Sequence, residues 1–124
     1  MTRKFLLPES VAREDGAGAE IALDADCGKP LLLTLGIDLT VEQESLEISV
    51  WGSQDKRAWK LLQAFPQKFY CGTYSLPLDL TRHLEVRYLR AQWRMSRWGA
   101  GETTPMFGFY LSAQPSKAHA AGVA

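Results

Sequence analysis

Apolar and polar residues alternate along most of this chain. The longest such run follows Pro30 and places six apolar side chains on one side: Leu31, Leu33, Leu35, Ile37, Leu39 and Val41. A helix would scatter these residues around its circumference, whereas successive side chains of a strand point to opposite faces. The alternation therefore predicts a strand with one continuous row of side chains facing a core.

The same alternation recurs in four further segments. Their predicted core-facing residues are Leu46, Ile48 and Val50; Leu76, Leu78 and Leu80; Leu89, Ala91, Trp93 and Met95; and Phe107, Phe109 and Leu111. Pro77 lacks an N–H for a strand ladder, so its segment is predicted to lie at a sheet edge. Weaker patterns predict strands at 4–7, 20–23 and 59–64, and only residues 55–63 have room for a helical turn.

Turn-forming sequences separate these segments. They are Glu14-Asp15-Gly16, Cys27-Gly28-Lys29-Pro30, Gly52-Ser53-Gln54-Asp55, Cys71-Gly72-Thr73 and Gly99-Ala100-Gly101. Many short strands joined by polar turns are typical of sandwiches and barrels. We therefore predict an all-β protein, a single antiparallel β-sandwich of jelly-roll-like form with about eight short strands. It should occupy residues 1–114, and the small and polar residues 115–124 should form a loose tail.

Composition agrees with one globular domain, since the 124 residues are 46% hydrophobic and 23% charged. Fourteen basic and fourteen acidic side chains cancel, which argues against nucleic acid or an anionic membrane as the partner. No apolar run approaches the roughly 20 residues of a membrane span, and no signal peptide is visible. A cytoplasmic location, or a place within an assembled particle, is expected.

Few residues suit catalysis or metal binding. His83 and His119 are the only histidines, and neither a nucleophile elbow nor a phosphate-binding glycine loop is present. We therefore predict a protein that is not an enzyme and needs no cofactor or metal. The carboxylate pairs Asp24/Asp26 and Glu42/Glu44 suit glycosidase chemistry or calcium, but solvated strand ends explain them equally well, so calcium stays open.

Two cysteines, Cys27 and Cys71, are expected to be free buried thiols. A lone pair of cysteines does not by itself require a disulfide, so their pairing stays open as well.

The aromatic content is the most distinctive feature, with four Trp, four Tyr and five Phe. The candidate binding residues are aromatic or arginine side chains predicted to point outward: Trp51, Tyr70, Tyr74, Arg94, Arg97 and Trp98. Such side chains suit stacking against sugar rings, and they are common at the centre of protein interfaces. The alternative is that these aromatic rings pack under the loops at the ends of the sandwich.

Two segments carry a family resemblance. Residues 46–62, LEISVWGSQDKRAWKLL, resemble the Gly-Ser-x-Asp-Gly-x-x-Trp segment of discoidin-type (coagulation factor type C) domains, and residues 86–90, VRYLR, resemble a later strand of those domains. The layout is also similar to small β-sandwich structural proteins of phage particles. The resemblance implies a jelly-roll-like sandwich without catalytic activity, in which Trp59 caps the core and Tyr88 buries its ring. Lys56 stands where the family has a turn glycine.

These features together predict a non-catalytic structural or assembly protein. It should self-associate through the faces and edge strands of its sandwich, because a zero net charge removes repulsion between copies. The alternative is a carbohydrate- or glycan-binding module that uses its exposed aromatic side chains. Neither nucleic acid nor a membrane is expected as a partner.

Overall fold

The computed structural model describes residues 3–41, 44–97 and 106–116. Within these residues the chain forms nine strands: β1 (Lys4–Ala12), β2 (Gly16–Ala17), β3 (Ile21–Ala22), β4 (Pro30–Thr40), β5 (Glu44–Ser53), β6 (Lys60–Ala64), β7 (Gly72–Asp79), β8 (Tyr88–Arg97) and β9 (Phe107–Pro115). Eight of the nine match predicted segments; β2 is the addition, and its two residues are too short to show an alternation.

The strands form two antiparallel sheets packed face to face. Sheet A has the order β1-β9-β4-β7, and sheet B has the order β2-β8-β5-β6 with β3 also paired to β8. The pairs are nested along the chain: β1 with β9, β2 and β3 with β8, β4 with β7, and β5 with β6. This winding is that of a jelly roll. The predicted all-β, jelly-roll-like sandwich is therefore confirmed, and β7 with its Pro77 is an edge strand.

The core lies between the sheets and is filled by the alternating residues. Leu33 and Leu35 of β4, Val50 of β5 and Leu111 of β9 have no measurable exposure. Burying one such aliphatic side chain contributes roughly 1.5–3 kcal/mol, so these rows dominate the stability of the sandwich. Alternation in the sequence thus identified the inner face of each long strand.

The row of β4 breaks before its predicted end. The ladder with β9 shifts by one residue between Ile37 and Leu39, so Asp38 is an extra residue in β4. Such a bulge turns the following side chain to the other face. The prediction that Leu39 and Val41 belong to the core is therefore wrong, because Leu39 is 40% exposed and Val41 is only half-buried.

Residues 55–63, the segment with room for a helical turn, contain none. Residues 54–58 form a bend that leads into β6, and the helical pieces of the described chain are two 3₁₀ turns, Asp24–Asp26 and Leu80–Arg82. Neither is long enough to cross a membrane. Leu80, predicted to end a strand, is buried in the second of these turns.

The end of β9 and the two cysteines differ from the prediction. β9 runs to Pro115, and the N–H of Ser116 donates to the carbonyl of Pro30, so the predicted tail begins as part of the sheet. Residues 117–124 lie outside the described residues. Cys27 and Cys71 are free thiols, but they are not fully buried as predicted, since Cys27 is half-buried and Cys71 is exposed on the connection to β7.

Candidate functional site

The outer face of sheet B is a trough that contains two of the predicted binding residues, Trp51 and Arg94. Its volume is about 490 Å³. The floor consists of outward side chains of β5 and β8, where Glu47 pairs with Arg94 and Ser49 pairs with Gln92 in the ladder. We call this surface the sheet B trough. Its lining is Asp15, Gly16, Glu47, Ile48, Ser49, Trp51, Leu61, Ala64, Phe65, Gln92, Trp93 and Arg94.

Trp51 is held in a fixed position in this trough. Its indole Nε1–H donates at 2.9 Å to the hydroxyl of Ser49. Ser49 is the neighbouring outward residue along β5. Leu61 on β6 is the cross-strand partner of Trp51 and is 52% exposed at the rim. At the opposite rim the carboxylate of Asp15 accepts the backbone N–H of Met95 at 2.7 Å, so this carboxylate has a structural role. The trough is thus an open, preformed surface in which the outward Trp51 ring lies beside several polar groups.

Cations lie over aromatic rings beyond one end of the trough. The guanidinium of Arg90 is 6.0 Å from the ring centre of Trp59, and the ammonium of Lys56 is 4.8 Å from that of Tyr88. Tyr88 alternates with the buried Leu89, so it points outward and is half-buried. The prediction that Tyr88 buries its ring is therefore wrong, because its place in the β8 alternation puts it on the outer face.

The turn before β6 contains Lys56, the residue that stands where the discoidin-type segment has a glycine. The Ser53 hydroxyl accepts the N–H of Lys56 at 2.8 Å, and Asp55 accepts the N–H groups of Arg57 and Ala58. These hydrogen bonds from Arg57 and Ala58 lower the pKa of Asp55. Lys56 has a φ of 69°, the left-handed conformation that glycine adopts without strain. The backbone thus keeps a glycine-type turn although the residue is lysine.

The other predicted binding residues lie elsewhere. Tyr70 is 75% exposed on the β6–β7 connection. Tyr74 is the ladder partner of the buried Leu35, packs against the core, and donates its hydroxyl hydrogen to the carbonyl of Tyr70 at 2.9 Å. The ammonium of Lys68 lies 4.0 Å from the Tyr74 ring centre. Trp98 lies outside the described residues, and so does the side chain of Arg97. The structure therefore brings together Trp51 with Arg94, and Tyr70 with Tyr74.

The outer face of sheet A has an apolar surface that the alternation pattern did not predict. We call it the Phe5–Tyr110 patch, formed by Phe5, Val11, Leu39 and Tyr110. Phe5 and Tyr110 pack edge to face with ring centres 6.0 Å apart, and Phe5 is 41% exposed. Val11 and Leu39 are the ladder partners of Gly108 on its two sides. The patch therefore crosses β1, β9 and β4.

Gly36 keeps this surface low. It is the ladder partner of Tyr110, and a Cβ atom on Gly36 would lie 2.1 Å from Cε2 of the Tyr110 ring. No side chain fits at that distance, so the ring lies directly over the backbone of β4. The consequence is a shallow apolar surface instead of a protruding tyrosine.

Charged groups flank the Phe5–Tyr110 patch. The Arg3 guanidinium is 5.2 Å from the centre of the Phe5 ring, and Arg3, Pro8 and Glu9 line a hollow of about 390 Å³ with Phe5 and Tyr110. The carboxyl of Asp38, by its hydrogen bond and its charge, raises the pKa of Glu9. The patch therefore has a basic group on one side and two facing carboxyls on the other.

The acidic residues considered for catalysis or calcium lie at a turn and at a strand end, with Asp24 and Asp26 in the first 3₁₀ turn and Glu44 at the start of β5. Glu44 is 1% exposed, and its carboxylate accepts hydrogen bonds from Thr40 Oγ1, the N–H of Val41 and the N–H of Met106. It therefore joins the ends of β4, β5 and β9, and its partner Glu42 lies outside the described residues. Among the described residues no three histidine, cysteine or acidic side chains converge as metal ligands.

Comparison with known proteins supports the fold. Solved structures of similar fold include the SPBc2 prophage-derived protein YomS, with a TM-score of 0.55 at 11% identity over 91% of this chain and 92% of that chain. A chain of the infectious bursal disease virus Gx strain gives 0.50 at 10% identity over 90% of this chain and 32% of that chain. No protein-family model matches the sequence, and no curated protein matches it.

These likenesses concern the fold alone at such low identity. A prophage-derived protein among the neighbours agrees with the predicted similarity to phage β-sandwich proteins. The resemblance to discoidin-type domains is not confirmed by these two structures and stays a prediction.

Proposed function

We propose that this chain is a non-catalytic structural protein that assembles with copies of itself through an outer face of its sandwich. The observation that carries the proposal is the Phe5–Tyr110 patch, an apolar and aromatic surface with arginine at its border. Aromatic residues and arginine are enriched in the cores of protein interfaces. Similar folds in a prophage-derived protein and in a virus structure support a place in an assembled particle.

Association through strand edges is less favourable than association through faces. β1 contains Pro8 and two shifts of register, and β7 contains Pro77, whose carbonyl already accepts Gln63 Nε2 at 2.8 Å. β6 has five residues and its own shift, and β2 and β3 have two residues each. Prolines, bulges and short strands are devices that prevent pairing between sheet edges. We therefore assign the proposed self-association to the faces.

The native mass tests the proposal. Light scattering across a concentration series should show a mass that rises above the single-chain value of 13.8 kDa, with larger species imaged by electron microscopy. A mass that stays at one chain up to millimolar concentration would refute self-association.

A glycan-binding function is the second candidate, favoured by the sheet B trough. Trp51 offers a ring for stacking against a sugar, while Glu47, Gln92 and Arg94 offer hydrogen-bonding groups beside it. Binding sites of this kind combine an apolar surface with a few placed polar groups. Titration with a glycan panel should then change tryptophan fluorescence without changing the mass, and Trp51→Ala should remove the response. The matched control Trp59→Ala changes a ring outside the trough lining and should keep it.

A further inference from the structure

The Phe5–Tyr110 patch has the layout of a surface that is complementary to itself. Arg3 comes just before β1, Phe5 follows on the strand, and Glu9 lies beyond them. Asp38 of β4 interacts with Glu9, and its Oδ1 would lie 2.7 Å from a Cβ on Gly108, the ladder partner of Val11. Tyr110 is the ladder neighbour between these levels, since β1 pairs Phe5 with Ser112 and Ser10 with Phe109. The patch therefore runs from a positive charge, across two aromatic rings, to two carboxyls.

Among the described residues, no ion pair neutralises either end of the patch. The ion pairs formed among the described residues are Lys4–Asp24, Lys60–Glu85 and Arg82–Asp79. None of these pairs involves Arg3, Glu9 or Asp38, and the guanidinium of Arg3 rests on the ring of Phe5. The raised pKa of Glu9 reflects its hydrogen bond with Asp38 and the repulsion between the two carboxyls. A second positive charge near Glu9 and Asp38 would relieve that repulsion.

We propose that two copies of this chain bind through the Phe5–Tyr110 patch around a two-fold axis, with Arg3 of each copy against Glu9 and Asp38 of the other. This inference rests on the proposed function. A two-fold interface brings the same patch of both copies together, so each contact occurs twice. Rotation about an axis near Tyr110 exchanges the basic and acidic ends and stacks the aromatic centres. Charge complementarity and apolar burial then act at the same place.

The sheet B trough does not offer the same complementarity. It is concave, so two troughs placed face to face would enclose a void, and the side chains lining a void have no partner atoms on that side. The hollow of the Phe5–Tyr110 patch is smaller, about 390 Å³ against about 490 Å³ for the trough, and the Tyr110 ring lies directly over Gly36, so a second surface can approach the aromatic centre closely. Of the two faces, the patch is therefore the one suited to a second copy.

Charge exchange on the full chain tests this interface. Arg3→Glu places an acidic group against Glu9 and Asp38 of the other copy, and the double variant Glu9→Lys with Asp38→Asn places a lysine against Arg3. Each variant alone should associate about a hundredfold more weakly than the unchanged chain, because like charges in contact cost several kcal/mol. Mixed in equal amounts, the two variants should form a heterodimer. One of its two contacts keeps Arg3 against Glu9 and Asp38, and the other joins the two substituted ends, whose charges are both reversed. Neither contact then joins like charges.

The mixture separates folding from binding. Circular dichroism checks that each charge variant folds, because mixing would not restore association if either variant were unfolded. In that case Phe5→Ser replaces the unfolded variant as the test of the patch. Arg94→Glu in the sheet B trough is the matched control and should associate like the unchanged chain. An unchanged chain that stays monomeric refutes the proposed function itself. An unchanged chain that associates while Arg3→Glu associates equally well refutes only this interface, as would loss of association in Arg94→Glu.

Discussion

The two outer faces of this sandwich share one core and differ in nearly every surface property. The face of sheet A is apolar at its centre and charged at opposite ends, whereas the floor of the sheet B trough places Trp51 beside the polar side chains of Glu47, Ser49, Gln92 and Arg94. The first is suited to another protein surface, and the second to a small or extended ligand. In the functions proposed above, assembly and ligand binding would therefore use opposite sides of one core.

The difference arises from irregularities in the strands. In β1 the ladder shifts between Leu7 and Ser10, and in β4 it shifts between Ile37 and Leu39. These bulges bring Glu9, Asp38 and Leu39 to the outer face of sheet A. The floor of the sheet B trough instead uses residues in regular alternation along β5 and β8, and the register shift of the β5–β6 ladder between Val50 and Trp51 lies at its rim. Bulges thus place charged groups and Leu39 on the surface of sheet A, whereas the floor of the trough follows regular pairing.

The largest expected effect comes from a residue that joins both sheets. Glu44→Ala removes the acceptor of three hydrogen bonds that hold the ends of β4, β5 and β9. Leaving buried donors unsatisfied should lower the free energy of unfolding by about 3 kcal/mol or more. Denaturant unfolding measures this loss. Glu44→Gln, which keeps one carbonyl acceptor, should lose less; equal stability of all three chains would contradict the described role.

A substitution confined to the face of sheet A should come next. Gly36→Ala places a methyl group into the Tyr110 ring, which must lift from the surface. Overpacking of this kind should lower the unfolding free energy by about 1–3 kcal/mol and should also weaken association. Adding Tyr110→Ser to Gly36→Ala should restore stability but not association. If the double variant stayed as unstable as Gly36→Ala, the strain would lie elsewhere.

The sequence predicted the regular parts of this molecule and missed the irregular ones. Alternation along β4, β5, β8 and β9 correctly identified the core rows and therefore the outward position of Trp51 and Arg94. It could not locate a bulge, because one extra residue leaves no signal in composition, and so Leu39 was assigned to the core. Phe5 also went unnoticed, since its exposure depends on which strand lies beside it.

A smaller change in stability is expected from Lys56, in the turn before β6 of sheet B. Lys56→Gly should raise the unfolding free energy by about 1 kcal/mol, because relief of the left-handed strain exceeds the flexibility that glycine adds to the unfolded chain. Lys56→Ala keeps the strained φ and loses the contact with Tyr88, so it should not stabilise. Thermal unfolding compares the two variants. A lower stability for Lys56→Gly would mean that the Tyr88 contact outweighs the strain.

The smallest expected effects are changes of stability with pH, and they have opposite signs for Glu9 on sheet A and Asp55 in the turn before β6. Glu9 has a raised pKa, so its ionisation beside Asp38 lowers stability as pH rises, and this loss is absent below the ordinary glutamate pKa of 4.5. Asp55 has a lowered pKa, so its stabilisation is present above 3.8 and is lost as pH falls below that value. In dilute solution at neutral pH, Asp38→Asn should therefore stabilise and Asp55→Asn should destabilise.

Unfolding of both variants at a series of pH values checks these opposite signs. Each difference from the unchanged chain should shrink as the pH falls through the pKa of the group concerned. Differences of the same sign at neutral pH would contradict the opposite environments of Glu9 and Asp55.

Backbone amide NMR spectra of the full chain across a concentration series test the central claim most directly, because they show which face meets a second copy. The account predicts that signals of Phe5, Val11, Leu39, Gly108 and Tyr110 shift or broaden as concentration rises, while those of Glu47, Ser49 and Trp51 stay constant. Shifts concentrated in the sheet B trough, or spectra that do not change with concentration, would contradict it.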